Sequence, residues 1–244
     1  MIKLERNITP IKLTPAFIAF QTAEFISNKT NVWNIGWLKE GLLELSFGKC
    51  AYCECNLEEE SKYMEVEHFE DKDNNPNKVL VWDNLLPSCK RCNGSKSTHD
   101  VVREPIINPF IDIPSNHLKF RLYRFNPKDE KGRTTIDVVD LNNTERAVKK
   151  RFEVGEELEK TIERAHERLE SFEANQITQR KNKLKNIIED ILKECQPCSI
   201  YSATCATILH SNDTYHEIRN RMLSHKIWDK EFENLHDISK DLVL

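Results

Sequence analysis

Two CxxC pairs, Cys50-Ala-Tyr-Cys53 and Cys89-Lys-Arg-Cys92, enclose a 35-residue segment that contains one histidine, His68. This pattern restricts the fold more than any other feature of the chain. Each pair presents two thiolates from one tight turn, and two such pairs close a tetrahedral, all-thiolate zinc site. A structural zinc would then tie residues 54–88 at their base. Within or just after that loop stand Glu67, His68, Asn84, Asn93 and Lys96. A zinc module with a purely structural task has no need of them.

The surrounding chain sets the context for those thiols. The start, Met1-Ile2-Lys3-Leu4-Glu5-Arg6, lacks the apolar stretch of a signal peptide. Mean hydropathy is −0.62, and no apolar run is long enough for a membrane helix. The expectation is a cytoplasmic, reducing setting in which the eight cysteines are thiols or metal ligands rather than disulfides. With 244 residues, 39% of them hydrophobic, the chain can bury one or two cores. The net charge of −4 argues against nucleic-acid binding by overall electrostatics alone. A local basic patch or a partner has to supply the surface.

Secondary-structure signals divide the chain into four parts. Residues 1–48 read as an N-terminal helical segment. Thr14-Pro15 is a helix start, with Phe17, Ile18, Phe20 and Phe25 as its candidate core. A second helix, residues 34–45, sets Trp37, Leu38, Leu42 and Leu45 on one face, and Gly48 ends it. Residues 49–103 form the cysteine-bracketed module. Its first strand runs Tyr63-Met64-Glu65-Val66-Glu67 and delivers His68, a second covers Lys78–Trp82, and a short helix follows Cys92. Residues 104–143 read as a β-hairpin connector, with strands at Leu118–Phe125 and Thr134–Leu141. Residues 144–244 turn helical. Val148, Phe152, Gly155, Leu158, Ile162, Ala165, Leu169 and Phe172 recur at three and four residues. This predicts a long helical hairpin, with helices near Ser199–Leu209 and Asp213–Leu223 after it. The expected fold is mainly α with a small α+β insert.

The residues of the loop suit phosphodiester hydrolysis, which needs a base, a cation to offset charge, and a base held in one orientation. His68 has the pKa of a base at neutral pH. Glu67 and the amide oxygen of Asn93 suit Mg²⁺ or Mn²⁺. Asn84 can hold the imidazole by a hydrogen bond. Lys96 follows Asn93 by one helical turn and can contact phosphate.

These residues resemble the HNH endonuclease motif with its zinc-pinned ββα-metal finger. The resemblance implies His68 as general base, Asn84 as its orienting residue, and Glu67 with Asn93 as ligands of the catalytic ion. Cys50-Ala-Tyr-Cys53-Glu54, Glu67-His68-Phe69 and Asn84-Leu85-Leu86-Pro87-Ser88-Cys89 are similar to the PtuB-type subgroup, found in Septu and related retron anti-phage systems. What this implies is a nuclease acting on nucleic acid, with DNA the expected substrate, beside an ATPase of the PtuA type. Glu67 stands where many HNH proteins have Asp, and Glu70-Asp71 stand where a proline is usual.

Other readings stand beside these. A zinc-stapled scaffold that binds an ATPase or nucleic acid without cutting needs the cysteines but not His68, Asn84 or Asn93. An RNA nuclease, for instance one acting on tRNA, uses the same metal chemistry. Cys195-Gln-Pro-Cys198 and Cys205 fit buried helix-end thiols, and Cys55 a bystander or substitute ligand. Lys149-Lys150-Arg151 and Arg180-Lys181-Lys183-Lys185 fit either nucleic-acid contacts or a solvated face, since residues 145–194 hold 12 acidic and 12 basic side chains. The apolar stripe from Val148 is core, unless part of it is exposed for a partner helix.

Overall fold

In the computed structural model, which describes residues 1–57 and 64–244, the first helix is Pro15–Asn28 (α1). Thr14 Oγ1 accepts the Phe17 N–H at 3.2 Å to cap its start. Lys29, in the left-handed region at φ 55°, ends it by donating its N–H to the Phe25 carbonyl. Of its expected core only Phe25 is buried; Phe20 is 64% exposed. Gly36–Leu45 (α2) follows and buries Leu38, Leu42 and Leu45.

The cysteine module contains two strands and a helix. Met64–His68 (β1) pairs antiparallel with Leu85–Cys89 (β2), in a register that sets Met64 opposite Cys89 and His68 opposite Leu85. Lys90–Lys96 (α3) follows directly and packs on both strands. Tyr63, expected in the first strand, lies outside the described residues. The expected strand at Lys78–Trp82 is corrected. Pro76–Lys78 and Trp82–Asn84 are 3₁₀ turns, and Val79 and Leu80 are buried within that loop. Their apolar run imitates a strand because burial, not pleating, is what their hydrophobicity records.

The connector also departs from expectation. After the short helix Pro114–His117 (α4), the stretch read as one strand folds on itself as Leu118–Arg121 (β3) and Arg124–Pro127 (β4). Leu122 and Tyr123, at φ 50° and 60°, make the turn. Thr134–Leu141 is no strand. Glu130–Val138 (α5) is helical because Asp129 Oδ1 caps the Gly132 N–H at 2.8 Å, overriding the β-branched composition. Gly132 is required there, since a Cβ would stand 2.1 Å from the His117 carbonyl oxygen.

The remaining helices are Lys149–Ala174 (α6), entered through a π turn at Thr144–Val148, then Thr178–Glu194 (α7), Ser202–Ser211 (α8), Asp213–Ser224 (α9) and Lys230–Lys240 (α10). The fold is mainly helical with two small antiparallel sheets. It divides into one unit of Met1–Lys119 with Arg124–Asn143, and another of Phe120–Tyr123 with Thr144–Leu244. In the second unit the predicted stripe is core: Leu158, Ile162, Ala165, Leu169 and Phe172 pack with Leu184, Ile188, Leu209 and Tyr215. Arg151 is fully buried there and donates to the Tyr123 carbonyl at 3.1 Å, so it is no nucleic-acid contact. Among the described residues no helix is long and apolar enough to cross a membrane.

Candidate functional site: a four-cysteine cluster beside a histidine-lined cavity

The first CxxC turn closes when the Glu54 N–H donates to the Cys50 carbonyl at 3.0 Å, with Glu54 at φ 62°. The Ala51 N–H reaches the Pro87 carbonyl at 2.9 Å, tying this turn to β2. β2 and the first turn of α3 deliver the second pair. The sulfurs of Cys50, Cys53, Cys89 and Cys92 all lie within 4.8 Å of one another. Cys53 Sγ and Cys89 Sγ are 3.8 Å apart, which matches the edge of a tetrahedron with Zn–S bonds of about 2.3 Å. The donor set therefore fits zinc. Cys89 is held down to about 4, chiefly by a hydrogen bond with Cys50, while contacts with the same sulfurs push Cys92 up. A divalent cation lets all four be thiolates. The Arg91 guanidinium donates to Cys92 Sγ at 3.3 Å and adds positive charge at the rim. Cys55 is buried in the same turn but is not one of the four.

β1 carries Glu67 and His68 to a cavity of about 430 Å³, whose lining includes Trp33, Glu65, Glu67, His68, Asp71 and Asn93. His68 is 7% exposed. Its Nε2 lies 3.0 Å from the Val79 carbonyl oxygen. A carbonyl only accepts, so Nε2 carries the proton and Nδ1 keeps the lone pair. Burial lowers the imidazole to about 4, and so keeps it a neutral base at pH 7.

Asn84 does not hold the imidazole directly, which corrects the sequence expectation. Its Oδ1 accepts the Glu70 N–H at 2.7 Å, and its Nδ2 donates to the Glu70 and Lys78 carbonyls at 3.0 and 3.2 Å. It therefore fixes the loop ending at Val79, whose carbonyl holds the ring. Lys96 is corrected too. It is 2% exposed, with Nζ 2.7 Å from Glu67 Oε1 and 3.0 Å from the His68 carbonyl oxygen. Its charge is spent on Glu67 rather than offered to phosphate.

Glu67 is pushed up to about 7, first by burial, against the pull of Lys96. Its Oε1 is buried and lies 2.7 Å from the Lys96 ammonium. A carboxylate on the wall of a polar cavity is the donor type that a hard cation takes, although here Lys96 already partners one of its oxygens. Asn93 lines the same cavity and donates through Nδ2 to the Glu65 carboxylate. Sequence reasoning missed Glu65, although strand alternation sets it on the same face as Glu67. Asp71, singled out in the sequence only as a departure from the family pattern, lines the cavity, and its oxygens accept the N–H groups of Asp73 and Asn74. Every contributor from before the cysteines was missed: Asn31, Trp33, Asn34 and Lys39.

Strand, strand and helix on a four-cysteine base, with Glu-His at the end of the first strand, define an HNH-type finger. The family model for HNH endonucleases matches residues 50–99. Over 237 residues the chain is 47% identical to the Septu protein PtuB of Bacillus thuringiensis, covering 96% of this chain and 92% of that one. A second relative, the Septu protein PtuB of Bacillus mycoides (strain KBAB4), is 29% identical over 212 residues, covering 65% of this chain and 68% of that one. The chain belongs to the Septu PtuB family. No solved structure matches it.

Proposed function

We propose that this protein is a metal-dependent endonuclease that hydrolyses phosphodiester bonds in DNA, as the effector of an anti-phage defence complex. The observation that carries the reading is the His68 ring, which is neutral, has its Nε2–H engaged by Val79, and sits in the wall of a polar cavity. His68 Nδ1 takes the proton from water as it attacks phosphorus. Glu67 and Asn93 are the residues to hold Mg²⁺ or Mn²⁺. Bound there, the ion supplies charge for the phosphorane and the leaving 3′ oxygen. Asn84 keeps the Glu70–Val79 loop in place, and with it the imidazole. With Lys96 committed to Glu67, Lys39 and Lys72, both on the cavity wall, receive phosphate. The products carry 5′-phosphate and 3′-hydroxyl ends. The four cysteines hold a structural zinc that fixes β1 against α3.

The two relatives are Septu proteins, and by that likeness we propose an ATPase of the PtuA type as the partner and the cytoplasm as the setting. A second reading draws on the Glu67–Lys96 pair: a carboxylate already neutralised suits a scaffold that binds without cutting. Incubating plasmid DNA with the zinc-loaded chain, with and without the ATPase, separates the two. The nuclease reading expects Mg²⁺- or Mn²⁺-dependent cutting that falls by about 10²–10⁴-fold in His68→Ala and stops in EDTA. Labelled single-stranded DNA and tRNA in parallel test for an RNA substrate. Cutting retained by His68→Ala removes His68 as the base.

A further inference from the structure

The HNH match begins at Cys50, yet the His68 ring is touched from outside that segment. The rings of Trp33 and His68 meet edge to face, with centroids 4.9 Å apart and planes at 87°. Trp33 sits in the turn between α1 and α2, where its carbonyl accepts the Ile35 N–H at 2.9 Å. From behind it is held by Phe25, the one buried side chain of α1, with ring centroids 5.6 Å apart at 78°. The Lys72 ammonium lies 5.4 Å from the Trp33 ring. Trp33 and His68 line the same cavity.

A histidine ring held by one hydrogen bond is not fixed. Its χ2 torsion is broad, and a single Nε2–H···O contact lets the plane swing about that axis. Nδ1 would then point into the cavity only part of the time. A second contact from the side, to the flat of one ring, removes that freedom. Trp33 supplies it, and Phe25 keeps Trp33 from yielding. An edge-to-face aromatic pair contributes about 0.5–1.5 kcal/mol beyond its burial, enough to favour one ring orientation by about twofold to tenfold.

We infer that Trp33 is a positioning residue for His68: the Val79 carbonyl holds Nε2, and the Trp33 ring fixes the plane of the imidazole and hence the direction of Nδ1. The N-terminal helical segment is then part of the catalytic site rather than a neighbour of it. The kinetic consequence rests on the nuclease reading; the ring geometry does not.

The test uses the full, zinc-loaded chain with Trp33→Phe and Trp33→Leu, the first keeping an aromatic ring and the second only apolar volume. The His68 ring protons, assigned by their loss in His68→Ala, are followed by NMR. The wild type and Trp33→Phe give one narrow set; Trp33→Leu gives shifted, broadened signals. In single-turnover cleavage, Trp33→Leu lowers the rate at saturating DNA by about twofold to tenfold, while the DNA concentration for half-saturation does not rise and Trp33→Phe recovers most of the rate. Zinc content confirms that each variant is folded; should Trp33→Leu lose its zinc, Trp33→Met takes its place. Unchanged His68 signals in the leucine variant overturn the inference. So does a rate lost only through weaker DNA binding, which would make Trp33 a stacking platform for a base. If the wild type cuts nothing even with its partner, the nuclease reading fails, and the NMR comparison alone decides the role of Trp33.

Discussion

Lys96 Nζ lies 2.7 Å from Glu67 Oε1, and both side chains are at most 2% exposed. A pair this deep recovers its desolvation cost only while both members are present. Burial already pushes Glu67 up to about 7 and Lys96 pulls it down, so in Lys96→Met the carboxyl takes a proton at neutral pH. The loss in the zinc-loaded protein is expected to be small at about pH 7 and to grow toward about 3–5 kcal/mol as pH rises well above it. Adding Glu67→Met to Lys96→Met removes the orphaned charge and should recover most of that loss. Urea unfolding of the two variants and the wild type, at neutral and at alkaline pH, reads both effects. A single variant as stable as the wild type even at alkaline pH would mean that the carboxylate is solvated, and that Lys96 is free for another partner.

The cysteine cluster makes a separate prediction about metal content. Four sulfurs within 4.8 Å of one another should bind one zinc per chain. Replacing Cys53 or Cys92 by serine should remove it, and Cys55→Ser should not. Because the site does not exist in the unfolded chain, zinc binding energy is folding energy. A chelator strong enough to strip the metal is therefore expected to lower the melting temperature of the wild type and of Cys55→Ser alike. Elemental analysis with thermal unfolding checks this. Loss of zinc in Cys55→Ser would assign the fourth ligand wrongly.

The site was legible where spacing reports chemistry directly. Two CxxC pairs fix a metal cluster whatever lies between them, and Glu67-His68 at a strand end are adjacent by covalent geometry. What failed had a local cause each time. Thr134 to Val139 are rich in β-branched residues, but one Asp129 cap and the space only Gly132 allows make them helical. Leu122 and Tyr123 adopt positive φ without being glycine, so nothing marked the turn that splits the predicted strand. Lys96 follows Asn93 by one helical turn as expected, but periodicity cannot say whether a charged side chain faces solvent or a buried carboxylate. Trp33 reaches His68 across 35 positions of sequence, and no periodic signal spans that distance.

The two ionisable neighbours on β1 should respond to acid in opposite ways. Burial holds His68 down to about 4, so the base stays neutral across the usual imidazole range. Burial pushes Glu67 up to about 7, so below that pH it takes a proton and ceases to be a metal ligand. Metal and proton then compete for one carboxylate. The Mg²⁺ concentration for half-maximal cleavage is expected to rise about tenfold per pH unit below about 7, with the rate recovered at high metal. A rate that falls below about pH 6.5 and is not rescued by Mg²⁺ would place the titration on His68 instead.

A second acid response is expected in the helical unit, away from any proposed chemistry. The His210 and His236 rings lie 4.7 Å apart between α8 and α10. His210 Nε2 is 2.8 Å from Ser239 Oγ, and His236 Nδ1 is 2.7 Å from the Tyr215 hydroxyl. Burial lowers His210 to about 4 and His236 below its ordinary value, helped by each other's charge at His210 and by Arg219 at both; Glu233 and Asp237 oppose the shift at His236. The unfolded chain accepts these protons first, near pH 6.5, so between about 6.5 and 4 it binds more protons than the folded one. Stability is therefore fully present above about pH 6.5 and is lost as pH falls through that window. For the partly buried His210 the loss is on the order of 1–2 kcal/mol once solvent screening is counted. His210→Gln keeps a polar group at the Nε2 position but cannot take the proton. Thermal unfolding at pH 7 and pH 5 should show a smaller drop for the variant than for the wild type; equal drops would mean that His210 is already solvated in the folded unit.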